Sequence, residues 1–216
     1  MKLVKALLAG AAVIALSAGS ANAATIIDFG TGSAGAGGTV NIGANVTGSG
    51  IFIDTVTIIG APVNNGVFDV NGAGVCPSGG SGSCGLLSFD KNLNTITLVG
   101  SIPALGILAP VNLLSGDLSG GVNVLINNGV TGSVTASGKD QKARELLTAI
   151  GLDPATAFAF FGFTTGVNGT GQGSPYTAIS TDITNTSVPE PGSIALFGTG
   201  LIGLARSFRR RFPTTN

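Results

Sequence analysis

Two cysteines, nine carboxylates between residues 24 and 187, and no histidine define the chemistry open to this chain. Without histidine there are no Ser-His-Asp triads, no imidazole-based zinc sites and no Cys-His nucleophiles. Cys76 and Cys84 flank a run of small residues, Pro-Ser-Gly-Gly-Ser-Gly-Ser. That spacing fits neither a C-x-x-C redox pair nor a four-ligand metal site, and in an exported chain an even pair reads as a disulfide. Closing so short a loop stabilises by about 2–3 kcal/mol in the chain-entropy model. The carboxylates are Asp28, Asp54, Asp69, Asp90, Asp117, Asp140, Glu145, Asp153 and Asp182. A facing pair about 5–10 Å apart would allow glycoside hydrolysis, but sequence spacing does not place such a pair. Asp90-Lys-Asn92-Leu-Asn94 opens like a calcium loop, yet Thr95 stands where glycine is needed and Ser101 where glutamate is needed. It and Asp69-Val-Asn71-Gly72 read as turns. Asn45-Val-Thr47, Asn168-Gly-Thr170 and Asn185-Thr-Ser187 match the N-glycosylation pattern, a weak signal in a chain so rich in these residues. No residue is assigned as catalytic or metal-ligating, and no cofactor is expected.

The elements that would carry these residues are mostly strands. Ile51 to Ile59, Thr95 to Val99, Gly121 to Asn127, Val130 to Ala136 and Tyr176 to Thr184 are rich in β-branched residues. Val122, Val124 and Ile126 fall on one face at period two, as do Ile179 and Ile183, with Ser180 and Asp182 opposite. Asn64-Asn65-Gly66, Asp90-Lys-Asn92 and Asn127-Asn-Gly129 are turn signals. A single helix is expected over Lys139 to Ile150, with Ala143, Leu146, Leu147 and Ile150 on its apolar face and Gly151 closing it. Phe158, Phe160, Phe161 and Phe163 form an aromatic strand destined for the core rather than a sugar-stacking platform. Gly32 to Gly50 reads as a loose glycine-rich edge. The expected fold is all-β, a β-sandwich or jelly-roll-like body with one short helix.

Charge divides the chain. Residues 24–187 hold four cations, Lys91, Lys139, Lys142 and Arg144, against nine anions, a net charge of −5, while the whole chain is neutral. So acidic a body argues against nucleic acid, whose binding needs basic residues at the phosphates. The remaining cations sit at the two ends. At the start, Lys2 and Lys5 precede an apolar run from Leu7 to Ala18, and Ala21-Asn22-Ala23 supplies small residues before Ala24. This is the pattern of a secretory signal peptide over 1–23, cut by a signal peptidase after Sec-type export.

At the other end, Val188-Pro189-Glu190-Pro191 leads into Gly192 to Ala205, fourteen residues without a charge, then Arg206 and Arg209-Arg210-Arg211. The prolines fix φ and remove backbone donors, so the tripeptide is extended and pre-ordered with Glu190 displayed. Ser193 is placed to cap the following helix. That helix reaches the roughly 20 residues of a membrane span only if Arg206 snorkels and Ser207-Phe208 are included. Its glycines suit a membrane helix, and the arginines form a cytoplasmic stop.

These residues, in this order, resemble the PEP-CTERM sorting signal of Gram-negative bacteria. The resemblance covers about 188–211, with Arg206 arriving early and Phe212 to Asn216 running past the arginines. It implies recognition by an exosortase-like membrane transpeptidase, transient anchoring in the inner membrane, and delivery to the cell surface or extracellular matrix alongside exopolysaccharide and biofilm systems. The chain thus divides into a signal peptide (1–23), a β-rich extracellular body (24–187) and a sorting signal (188–216). The body is expected to be non-enzymatic and structural, with a glycan-binding module of the same fold as the first alternative and a carboxylate-based glycoside hydrolase as the second.

Overall fold

The computed structural model describes residues 24–32, 37–72, 83–169 and 175–187. The expected signal peptide and sorting signal lie outside these residues. Among the described residues no helix is long and apolar enough to cross a membrane.

Twelve antiparallel strands build the body. They are β1 (Ile26–Gly30), β2 (Thr39–Ile42), β3 (Val46–Ile53), β4 (Thr55–Ile59), β5 (Gly66–Asp69), β6 (Gly85–Asp90), β7 (Thr95–Ile102), β8 (Ile107–Gly116), β9 (Gly121–Asn127), β10 (Thr131–Lys142), β11 (Phe158–Asn168) and β12 (Tyr176–Ser187). One 3-10 turn, Pro103–Leu105, joins β7 to β8, and one short helix, α1 (Arg144–Ala149), follows β10.

The expected sandwich or jelly-roll is not what forms. The order β12-β11-β10-β8-β7-β6-β3-β2 returns to β12, because Tyr176 and Thr177 pair with Val40 and Thr39. The result is a closed eight-stranded barrel. Inward and outward residues alternate identically in a sandwich and a barrel, so strand pattern alone does not separate them. Closure depends on curvature, and register shifts supply it between β3 and β6, β7 and β8, β10 and β11, and β11 and β12. Outside the ring, β1 pairs with β12, β4 with β1, β5 with β4, and β9 with β10.

An eight-stranded barrel is just wide enough to be filled by its own side chains. Phe29, Phe158, Phe163, Ile51, Ile53, Leu87, Ile96 and Leu98 are fully buried here. Phe89 packs edge-on to Phe163, ring centroids 5.0 Å apart, and lies over Gly48, its register partner on β3. A Cβ at Gly48 would overlap the Phe89 ring. Gly48→Ala is therefore expected to destabilise by about 1–3 kcal/mol, the usual cost of overpacking. Urea unfolding checks it, and an unchanged midpoint would show that Phe89 moves freely aside.

Three local expectations change. The helix does not begin at Lys139: residues 139–142 continue β10, where Asp140, Gln141 and Lys142 pair with Gly116, Ser115 and Leu114 of β8. Two neighbouring strands offer residues 139–142 a ladder that outweighs a weak helical preference. The glycine-rich stretch is not a loose edge, since its described part supplies β2 and the start of β3, paired from Thr39↔Ser49 to Ile42↔Val46. Ile179 is 54% exposed while Ile183 is fully buried. The register shift opposite Gly166/Val167 leaves Ile179 itself as the extra residue between Ala178 and Ser180 and turns it outward. By contrast, Asn127-Asn-Gly129 is a hairpin turn as expected, with Asn128 and Gly129 both at positive φ, 52° and 70°.

Candidate functional site

The first and last strands of the body run side by side. β1 pairs with β12 from Ile26↔Thr186 to Gly30↔Asp182. Beyond the ladder, Thr25 N donates to Ser187 Oγ at 2.9 Å, Ser187 N donates to Thr25 O at 2.9 Å, and Thr25 Oγ1 donates to Gly60 O at 3.2 Å. Ala24, the expected mature N-terminus, is exposed. Its junction and the residue that leads into the sorting segment are thus fixed at one end of the body. Ala21, Ala23, Val188, Pro189, Glu190, Pro191, Arg206, Arg209, Arg210 and Arg211 lie outside the described residues. So does Cys76. Cys84 is fully buried and is not a free thiol.

Four of the carboxylates serve turns or loops. Asp90 accepts from Asn45 Nδ2 at 2.9 Å and Leu93 N at 3.0 Å, and the Asn45 bond, with Leu93 next, holds its pKa below the ordinary value. It therefore braces the β6–β7 turn rather than opening a calcium loop. Asp117 accepts from Ser119 N at 2.9 Å and Lys139 N at 3.3 Å, and hydrogen bonding to Ser119 lowers its pKa. Asp153 accepts from Ala155 N at 2.7 Å. Asp54 accepts from Gly32 N. Among the described residues no three His, Cys, Asp or Glu side chains gather as a metal site.

Two arrangements were not legible in the sequence. The first lies on the outer surface of the continuous sheet β9-β10-β11-β12-β1-β4. Register aligns Asn123, Thr135, Thr164, Asp182, Gly30 and Thr55 in one row. The adjacent row holds Gly121, Ser137, Gly162, Thr184, Asp28 and Thr57. Hydroxyls, one amide and two carboxyls face outward, with no cation among them. Asp28 and Asp182 lie diagonally across the β1–β12 ladder. Partial burial of Asp28, then its hydrogen bond and charge interaction with Asp182, push its pKa up to about 7 from 3.8. Its folded pKa lies above the unfolded one. The stability it contributes is present below about pH 4 and is lost as pH rises through 7. Asp28→Asn is expected to flatten the fall in Tm across that window, and an unchanged slope would show that the pair shares no proton.

The second arrangement is inside the barrel. Lys142 and Asp140, two residues apart on β10, form an ion pair whose side chains are both 0% exposed. Lys142 Nζ stands 4.9 Å from the Phe158 ring centroid and 5.7 Å from that of Phe29. Burial lowers its pKa to about 8, against the opposing pull of Asp140, and burial raises Asp140. Strand alternation would have placed both on one face, but the helical reading of residues 139–150 hid that signal.

The molecule is thus a closed, self-filled barrel whose last strand leads directly into a proline-framed, apolar and arginine-terminated segment. Residues 187–211 match the PEP-CTERM protein-sorting motif, and the chain carries that sorting domain. The motif marks an exported protein sorted at a membrane, with an exosortase as its processing partner. No curated protein and no solved structure matches the chain.

Proposed function

We propose that the chain is a non-enzymatic structural protein of an exopolysaccharide or biofilm matrix, released or displayed at the Gram-negative cell surface after exosortase processing. The observation that carries this reading is the sorting motif beginning where β12 ends. The non-enzyme part is supported by the employment of Asp90, Asp117 and Asp153 in turns and by an interior that is mainly apolar apart from the Asp140–Lys142 pair. A Cys76–Cys84 disulfide belongs to the same reading, supported by the burial of Cys84. Intact mass of the protein recovered from its host tests the processing. Loss of residues 1–23 and of the segment after Pro191 is the expected result. A chain retaining Asn216 would make it a permanently anchored membrane protein instead.

The outward rows of Thr, Ser and Asn around Asp28 and Asp182 favour a second reading, a glycan-binding face. Such side chains offer donors and acceptors to sugar hydroxyls, and Gly162 and Gly121 leave open space above the sheet. Retention on the native exopolysaccharide would support it, and no retention would remove it. Cleavage of that polymer, abolished by Asp28→Asn or Asp182→Asn, would overturn the non-enzyme reading.

A further inference from the structure

Strand β9 stands out for what it lacks. Among the described strands it pairs only with β10, along Asn127↔Thr131 to Gly121↔Ser137, so its other edge presents unpaired backbone groups. Its sequence, Gly-Val-Asn-Val-Leu-Ile-Asn, contains no charge and no proline. Native edge strands are normally protected by charge, proline, brevity or a covering element. The same molecule shows such protection at β5, which is four residues long and ends in Asp69. On β9 no position is fully buried, Val124 and Leu125 are 36% and 63% exposed, and Val130 just beyond the turn is 44% exposed.

We infer that β9 is a self-complementary edge through which a second copy of this chain pairs antiparallel. A two-fold axis through Val124 sets Val124 against its own copy, Val122 against Ile126, and Asn123 against Leu125. An antiparallel pairing with this register keeps residues of like parity on one face. Val122, Val124 and Ile126 share the face of the buried Val134 and Ala136. The pairing therefore joins two apolar stripes into one and satisfies the free edge in a single step. A shift by one residue would set the apolar face of one copy against the opposite face of the other, so the register is specified. The absence of charge in β9 matters as well, since a charge at the centre of the strand would meet its own copy across the two-fold axis and repel it. The interface is isologous and closes after two copies.

The test uses the protein as it is recovered from its host, in mild detergent, with its mass measured first. Sedimentation should give a concentration-dependent species of twice the chain mass. Val124→Lys, which sets two ammonium groups face to face, should return it to the monomer with its thermal melt and circular dichroism retained. Val124→Cys should give a disulfide-linked dimer on mild oxidation, because directly opposed strand residues lie within about 5.5 Å at Cα. Ile179→Cys, exposed on a strand other than β9, should not. A monomer at all concentrations overturns the inference. So does a dimer that survives Val124→Lys or fails to cross-link through Val124→Cys, since its contact would then lie elsewhere.

Discussion

Asp140→Ala is expected to cost about 3–5 kcal/mol, the largest loss from any single polar substitution in the body. Asp140 and Lys142 are sealed inside the barrel with no exposed side-chain surface. The carboxylate accepts a hydrogen bond from the ammonium, and the Phe158 and Phe29 rings lie beside it. Cation–π attraction contributes on the order of 1–2 kcal/mol where the cation is desolvated, too little to offset a buried unpaired charge. Without Asp140 the lysine must either keep an uncompensated charge in the core or release its proton. Its pKa, already lowered to about 8 by burial, would fall further once the opposing pull of Asp140 is gone. Removing both charges should behave differently. Among the described residues Asp140 Oδ1 has no hydrogen-bond partner, so the pair is incompletely satisfied there, and the double change Asp140→Leu with Lys142→Met is expected to be neutral or stabilising by about 1–4 kcal/mol. Urea unfolding of Asp140→Leu, Lys142→Met and their combination forms a cycle that isolates the coupling. Equal losses in the Asp140→Ala and double variants would show that the pair itself, rather than an orphaned charge, sets the cost.

Changing Pro189-Glu190-Pro191 to three alanines is expected to abolish C-terminal maturation while leaving export and the barrel intact. Each part has a physical ground. The export signal is at the opposite terminus, and the barrel's last ladder residues end at Ser187, held by Thr25. Proline fixes φ and disfavours helix, whereas alanine is the strongest helix former. Glu190 supplies the only charge between Asp182 and Arg206. The substitution therefore removes both shape and charge from the segment that the exosortase reads. Intact-mass measurement should find the chain beginning at Ala24 and ending at Asn216. Normal maturation of the triple variant would reduce the tripeptide to a linker.

Legibility followed the range of the interactions. Hairpin chemistry at Asn127-Asn-Gly129 was readable because positive φ at two successive residues selects Asn and Gly locally. Strand β9 was readable to its ends, from Gly121 to Asn127. The phase of β12 was misread across Ile179, because a bulge depends on the partner strand and leaves no mark in the alternation of one strand. The start of α1 was misplaced because Lys139 to Lys142 look helical in isolation and become strand only where β8 and β11 flank them. Asp28 and Asp182 carry no sequence signal of each other, being joined solely by the pairing of the first strand with the last.

What the sequence determined alone is what a linear reader can use. The sorting motif over 187–211 is contiguous, so it is legible in the sequence without any tertiary contact. The acidic balance of the body, its inward and outward alternation and several of its turns likewise depend on near neighbours. Tertiary structure decided the rest. Period-two alternation states which face of a strand is buried but not which strand lies beside it, so barrel and sandwich share one pattern. The return of β12 to β2 closes the ring, the pairing of β12 with β1 brings Asp28 to Asp182, and β9 is left outside the ring as an unguarded edge.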